Sequence, residues 1–169
     1  MGWLYLLRHA RAAWAEPGTR DFDRPLTDAG RLESEGVGAF MASRSYQPDI
    51  VICSPALRAV ETWQGLAGPL GRRHSDALLS QQLYSTDATG YLSIVREKGG
   101  SGSLLIVGHN PMIEDLAIAL CSGREAEPPP MLAGGFPTAG LAVLSFQTPL
   151  SAATPGAARL DDFLGSTPG

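Results

Sequence analysis

The chain has 169 residues, 44% of them hydrophobic and 18% charged, with a formal net charge of −4. That length predicts one domain able to bury ~68–70% of its unfolded surface, and the acidic balance argues against general binding to nucleic acid or an anionic membrane. No basic cluster exceeds Arg72-Arg73, and no stretch approaches the ~20 apolar residues of a membrane helix.

The first element is an apolar run, Leu4-Tyr5-Leu6-Leu7, that ends abruptly in Arg8-His9-Ala10. A parallel strand covered on both faces reads as continuous apolar sequence, so a strand is predicted over roughly 3–8. The run is too short for a signal peptide and has no charged region before it; Leu6 also stands where a myristoylation signal needs Ser or Thr. A polar loop from Ala13 to Leu26 follows. Thr27 then reads as an N-cap, with Leu32, Gly36, Ala39, Phe40 and Ser43 recurring along one helical face. Pro48 and Asp49 punctuate before a second strand, Ile50 to Cys53. Ser54-Pro55 reads as an N-cap with proline at the first helical position, opening a helix whose stripe is Leu57, Val60, Trp63, Leu66 and Leu70.

A weak third strand is predicted within 74–79, and a helix near 88–98 with Tyr91, Leu92 and Val95 facing inward. The apolar stretch Leu104 to Val107 predicts another strand, ending in Gly108-His109-Asn110-Pro111. There the cap-and-proline device recurs before a helix that buries Ile113, Leu116, Ala117 and Leu120. Residues 122–138, with Pro128-Pro129-Pro130 and Gly134-Gly135, have a loop composition. Leu141 to Phe146 reads as the last strand of a domain spanning 1–148. A Pro/Ala/Gly-rich tail, 149–169, is expected to pack on its surface or be partly disordered. The alternation predicts an α/β fold, a sandwich around a mostly parallel sheet. Cys53 and Cys121 lack motif spacing and suggest reduced thiols and a cytoplasmic location.

Three segments with reactive side chains fall at strand-to-helix junctions, which in a parallel sheet share one rim. They are Arg8-His9, Ser54-Pro55-Ala56-Leu57-Arg58 and Gly108-His109. Guanidinium groups fork onto oxyanions, helix amide groups favour anions, and a neutral imidazole attacks electrophiles. Together they predict histidine-based phosphoryl transfer. His9 is the candidate nucleophile, while Arg8, Arg58 and His109 hold the phosphate. Neighbouring arginines disfavour the imidazolium, and the second ring nitrogen needs an acceptor to hold its proton. Taken singly, each histidine reads as a buried or capping residue, and Arg58 as a surface ion pair with Glu61 or Glu35.

Leu7-Arg8-His9-Ala10, Arg24-Pro25-Leu26-Thr27 with Gly30, Ser54-Pro55-Ala56-Leu57-Arg58 with Thr62, and Gly108-His109-Asn110-Pro111 occur in that order. This set resembles the histidine phosphatase superfamily (phosphoglycerate mutase-like), most closely its compact SixA-type branch, the phosphohistidine phosphatases. The resemblance covers about residues 3–147. It implies a three-layer α/β/α sandwich, a covalent phosphohistidine on His9, and a phosphate pocket of Arg8, Arg58 and His109. It also implies neither metal nor organic cofactor. The expected substrate is a phosphorylated protein histidine or a small phosphorylated molecule. Arg11 stands where related sequences often carry an acid, which makes it a candidate substrate contact.

One departure concerns the proton donor. Where the mutase-like branch has a carboxylate, this chain reads Ser80-Gln81-Gln82-Leu83-Tyr84. Glutamine delivers no proton, so substrates with an easily expelled group are favoured. Asp21, Asp23, Glu16 and Asp87 are the carboxylates that could substitute. The competing readings are a small-molecule phosphomonoesterase and a non-catalytic phospho-binding module. His74 and the loop charges Glu125 and Glu127 read as solvated, Trp63 as core, and Trp14 as either a core contact or a flap over the site.

Overall fold

The computed structural model describes residues 1–100, 102–123 and 127–165. Six strands form one sheet: β1 (Gly2–Arg8), β2 (Ile50–Cys53), β3 (Ala77–Leu79), β4 (Ser103–Gly108), β5 (Leu141–Phe146) and β6 (Ala158–Leu164). Their order is β3-β2-β4-β1-β5-β6. The first four in that order are mutually parallel; β5 lies antiparallel to β1, and β6 antiparallel to β5. The helices are α1 (Asp28–Ser43), α2 (Leu57–Ala67), the single turn α3 (Gln82–Ser85), α4 (Ala88–Lys98) and α5 (Met112–Ser122).

Two apolar clusters, one on each face of the sheet, explain why the central strands are apolar at every position. Leu4 and Leu6 of β1 and Leu104 and Ile106 of β4 pack on one face with Tyr91, Val95, Ile113 and Leu116 of α4 and α5. Tyr5 and Leu7, with Leu105 and Val107, pack on the other with Val37, Met41, Trp63 and Leu66 of α1 and α2. The layering is α/β/α. Each fully buried Leu or Val contributes about 1.5–3 kcal/mol relative to exposure, so a residue slip in β1 or β4 would rearrange both layers at once. Among the described residues no helix is long and apolar enough to cross a membrane.

Three predicted details differ. Thr27 does cap α1, accepting from Gly30 N at 3.0 Å, but the helix buries Gly30, Ser34, Val37, Gly38 and Met41, while Leu32 is 68% exposed. The reason is close helix approach. A methyl group on Gly38 would fall 2.9 Å from Leu66 Cα, and one on Gly65 would fall 2.0 Å from Ser34 Oγ. The small residues Ser34, Gly38 and Gly65 set the close approach of α1 and α2, beside the larger Val37, Met41, Trp63 and Leu66. Second, α2 begins at Leu57 with Ala56 as its cap, so Ser54 and Pro55 stand before the helix; likewise α5 begins at Met112 with Pro111 as its cap, so Asn110 stands before that helix and the proline is not its first residue. The buried positions are Arg58, Ala59, Thr62, Trp63, Leu66 and Ala67.

Third, the segment beyond 148 contributes to the sheet. Its residues 158–164 are β6, paired along β5 from Leu141↔Leu164 to Phe146↔Ala158. Asp162 receives hydrogen bonds from Arg44 (3.0 Å) and Tyr46 (2.9 Å), which fasten this edge to the end of α1. Glu125 lies outside the described residues; Glu127 is exposed, as is His74, whose carbonyl accepts from Trp63 Nε1 at 2.9 Å. Trp63 is 1% exposed and Trp14 is 90% exposed, so the first is core and the second is not.

Candidate active site

The carboxyl ends of β1, β2 and β4 meet at one rim. His9 N donates to Gly108 O (3.0 Å) and Ser54 N to Val107 O (3.0 Å), so the chain stays paired one residue past each strand. Ala139 N in turn donates to His9 O at 3.1 Å, and Arg8 N to Gly140 O at 3.0 Å. Ala10 N donates to Thr62 Oγ1 (2.9 Å), whose own hydroxyl donates to Arg58 O (2.6 Å), tying the His9 loop to the first turns of α2. The result is a rigid frame under an open cleft of about 490 Å³.

Arg8, His9, Arg58 and His109 all line that cleft, joined by Asp21, Arg24, Tyr84, Asn110 and Met112. The two imidazole rings lie 5.3 Å apart between centroids, and the Tyr84 ring stands edge-on to His109 at 5.7 Å. Arg11 is not among them. Its side chain is exposed, while its backbone N–H donates to Glu33 Oε1 at 2.9 Å. Gly30 presses so closely on Arg11 that a methyl there would fall 2.1 Å from the Arg11 carbonyl oxygen. The backbone at position 11 is committed to α1, with its carbonyl accepting from Thr27 N at 3.0 Å.

His9 is held with one nitrogen free. Nδ1–H donates to Ala10 O at 2.7 Å; because a carbonyl only accepts, the proton is on Nδ1 and Nε2 keeps its lone pair. Burial lowers the ring's pKa most. The Ala10 carbonyl opposes this, the charges of Arg58, Arg8 and Arg24 add to it, and the outcome is about 4. His109 is lowered to about 3 by burial, then by His9 and Arg58, against a raising influence from Asp21. Both rings are neutral at physiological pH. The largest cause is desolvation rather than the arginines alone.

The arginines are anchored from behind. Arg8 Nη1 donates to Phe136 O (2.8 Å), and Arg58 donates from Nη1 to Asp21 O (2.8 Å) and from Nη2 to Asp21 Oδ2 (3.1 Å). Arg24 donates to Ala13 O (2.8 Å) and to Asp21 Oδ1 (3.0 Å). Three guanidinium groups against one carboxylate leave the cleft with two positive charges inside an acidic protein. Arg58 pairs with Asp21, not with Glu61 or Glu35; Glu61 is taken by Arg31 and by Leu26 N. The described residues contain just three buried polar side-chain atoms without a partner: Arg8 Nε, His109 Nδ1 and Asp161 Oδ2. Two of them belong to residues of this cleft. An N–H left buried and unpaired costs roughly 1–3 kcal/mol, which an incoming oxyanion would recover.

Of the four carboxylates considered as proton donors, Asp21 alone reaches the cleft. Asp23 pairs with Arg20 at 2.9 Å, Asp87 caps α4 through Gly90 N at 3.0 Å, and Glu16 is exposed in the loop. Burial acts to raise the Asp21 pKa, but hydrogen bonds from Arg24 and Tyr84 and the nearby Arg58 outweigh it and hold it at about 2. Its hydrogen bond raises the Tyr84 phenol in turn. Neither group releases a proton efficiently near neutrality. Gln81 lies beside Tyr84 in an adjoining hollow with Arg20 and Phe22. Among the described residues no three His, Cys, Asp or Glu side chains converge as a metal site would. In the sequence Arg24 belongs to the Arg24-Pro25-Leu26-Thr27 motif with no role of its own, and Tyr84 has none. Nothing local signals that both face the cleft.

Comparison with known proteins bears on the family and the fold. Residues 4–80 match the family model described as the histidine phosphatase superfamily (branch 1). An uncharacterized protein of Mycobacterium tuberculosis is 32% identical over 162 residues, 93% of this chain and 98% of that one. Phosphohistidine phosphatase SixA of Escherichia coli is 29% identical over 131 residues, 76% of this chain and 78% of its own. A crystal structure of a SixA protein from Agrobacterium tumefaciens superposes with a TM-score of 0.82 at 38% identity, covering 96% of both chains.

Proposed function

Because the chain belongs to the histidine phosphatase superfamily and is a SixA-type hydrolase, we propose that it removes phosphoryl groups from protein phosphohistidine through His9. The observation that carries the reading is the His9 ring. Its Nδ1 proton is committed to Ala10 O, which leaves Nε2 its lone pair in a cleft where two buried atoms, Arg8 Nε and His109 Nδ1, have no hydrogen-bond partner.

In the first step the His9 Nε2 lone pair forms a bond to phosphorus as the bond to the leaving group breaks. Arg8 and Arg58 balance the charge on the equatorial oxygens, and their anchored guanidinium groups need no rearrangement to do so. The resulting phosphohistidine is then attacked by water. The P–N bond breaks, the electron pair returns to Nε2, and inorganic phosphate leaves with the oxygen from water.

The proton supply favours the substrate class. The carboxylate nearest the reaction is ionised down to pH about 2, so an alkoxide would depart without help. A phosphohistidine leaving group is different. Its second ring nitrogen carries a proton from solution, and the ring departs as neutral imidazole. The cleft is open enough to admit a side chain presented by another protein.

Rapid mixing with a phosphohistidine peptide, quenched in base, tests both parts. Wild-type protein should carry acid-labile phosphate, His9→Ala none, and turnover should exceed that of phosphoserine peptide and sugar phosphates. Phosphate incorporation that survives His9→Ala removes the nucleophile assignment, whereas preference for an alkyl phosphate removes the substrate assignment. Tight phosphopeptide binding without any transfer would make the protein a binding module.

A further inference from the structure

Ser54 has no part in the chemistry described above, although it is fully buried at the rim between β2 and α2. Its hydroxyl oxygen lies 2.7 Å from His109 Nε2 and 3.3 Å from Ala56 N, which donates to it. We propose that Ser54 is a positioning residue: its hydroxyl proton is donated to His109 Nε2, which places the single ring proton on Nδ1 and aims that N–H at the phosphoryl oxygen. This rests on the phosphate seat assigned to His109 under the proposed function.

The argument is an accounting of protons among buried groups. In one arrangement His109 carries its proton on Nε2 and donates it to Ser54 Oγ. The serine proton then has no acceptor among the hydrogen bonds of the described residues. Nδ1 is left as a bare lone pair, buried and unpartnered, in a ring that lines a site for anions. In the other arrangement Ser54 O–H donates to Nε2, Ala56 N–H donates to Oγ, and every proton in the serine–histidine pair has a use except Nδ1–H. That remaining donor is what a phosphate oxygen would take up. A lone pair at the same atom would repel the oxygen instead. The neutral ring leaves one proton to place, so the serine decides which nitrogen presents it.

The surroundings leave Ser54 little freedom to do otherwise. Ser54 N is fixed on Val107 O at 3.0 Å, and His109 N donates to Tyr91 Oη at 3.2 Å. Tyr91 Oη in turn donates to Leu83 O, so the main chain bearing the imidazole is held from the α4 side. A methyl group on Gly108 would fall 2.7 Å from Tyr91 Oη, which leaves the tyrosine just enough room to reach that amide. Serine and histidine therefore face one another from two pinned backbones, at a separation only a hydrogen bond explains. The cap contact to Ala56 N, at 3.3 Å, is the longer and weaker of the two.

The test reads the proton directly. Phosphate-free protein labelled with 15N-histidine is observed in multiple-bond 1H–15N spectra near pH 7.5. Three histidines make assignment straightforward, and His9→Ala identifies its own signals. Wild-type His109 should show a protonated Nδ1 and a bare Nε2. Ser54→Ala should move the ring to the opposite form or to a mixture, while Ser54→Thr, which keeps the hydroxyl, should restore the wild-type pattern. Vanadate affinity should weaken about ten-fold in Ser54→Ala, the worth of one hydrogen bond to a charged group, and recover in Ser54→Thr. A protonated Nε2 in the wild-type spectrum overturns the proposal even if neither variant folds, as does an unchanged tautomer in Ser54→Ala. Failure to turn over phosphohistidine leaves these spectra unaffected, so loss of the functional reading and loss of this inference are separately visible.

Discussion

Acidification separates what this site does from what an ordinary histidine would do. Nucleophilic attack needs His9 unprotonated, and its pKa is held at about 4 by burial, with help from Arg58, Arg8 and Arg24. At pH 5 a ring at the reference value near 6.5 would be only ~3% neutral, whereas a ring at about 4 is ~90% neutral. The His9-dependent part of kcat/KM should therefore stay flat from pH 7 to 5. Below about 4 it should fall roughly ten-fold per pH unit. With His109 only 5.3 Å away, the observed limb belongs to the pair. The assay is kcat/KM on a phosphohistidine peptide between pH 3.5 and 8, with the substrate's own ionisation followed by 31P resonance and divided out. Stability should behave oppositely over the same interval. The unfolded ring takes up a proton below about 6.5 and the folded ring only near 4. The unfolded state therefore binds more protons there, and each buried histidine removes about 1.4 kcal/mol per pH unit as the pH falls. Melting temperature should decline while activity per folded molecule persists. An acid limb centred near 6.5, or a melting temperature indifferent to that interval, would refute the reasoning.

Gly30→Ala should lower stability by about 1–3 kcal/mol in denaturant titration, because its methyl would meet the Arg11 carbonyl oxygen at 2.1 Å and both partners are backbone; a change under about 0.5 kcal/mol would mean the two segments part without strain. Asp21→Asn should leave any basic limb of the kcat profile in place, since that carboxyl is ionised down to about pH 2 and gives no proton to the reaction; a limb that disappears with the variant would identify Asp21 as the acid. Cys53 is fully buried and burial pushes its thiol up, while Cys121 is part-exposed and raised to about 11. A disulfide reagent should modify Cys121 slowly in folded protein and Cys53 only on unfolding, which mass spectrometry of the labelled peptides would show.

Much of this fold is legible in the sequence for a physical reason. β1, β2, β4 and β5 are covered on both faces and so are written as uninterrupted apolar runs. The buried face of α5 (Ile113, Leu116, Ala117, Leu120) follows the spacing of its large side chains. The face of α1 does not, because its contact with α2 depends on Ser34, Gly38 and Gly65, and closeness of backbones leaves no hydrophobic signature. β6 escapes for the converse reason: an edge strand carrying Asp161 and Asp162 and only half-buried along most of its length looks like a surface segment. At the site, Arg8, His9, Arg58 and His109 are readable because strand ends bring them together. Asp21 and Tyr84 arrive on a loop and a one-turn helix 63 positions apart, joined by a 2.9 Å hydrogen bond that no local pattern encodes. Arg11 is exposed and outside the cleft lining, and its neighbours in sequence say nothing of the close approach of Gly30 to its backbone.

β1 is an interior strand of the sheet, and both of its partners come from far along the chain. Its neighbours are β4, registered Trp3↔Ser103, and β5, registered Leu4↔Leu144. Until those late segments are in place, β1 has neither of its neighbouring strands to pair with. Pairings so remote along the polypeptide are slow to close, so the nascent protein is exposed to mispairing for most of its synthesis. The imidazole at the end of that strand depends on the same late segments, through Gly108 O and Ala139 N. A molecule interrupted before residue 141 would carry all four rim residues and still lack one of the two strands that hold His9 in place.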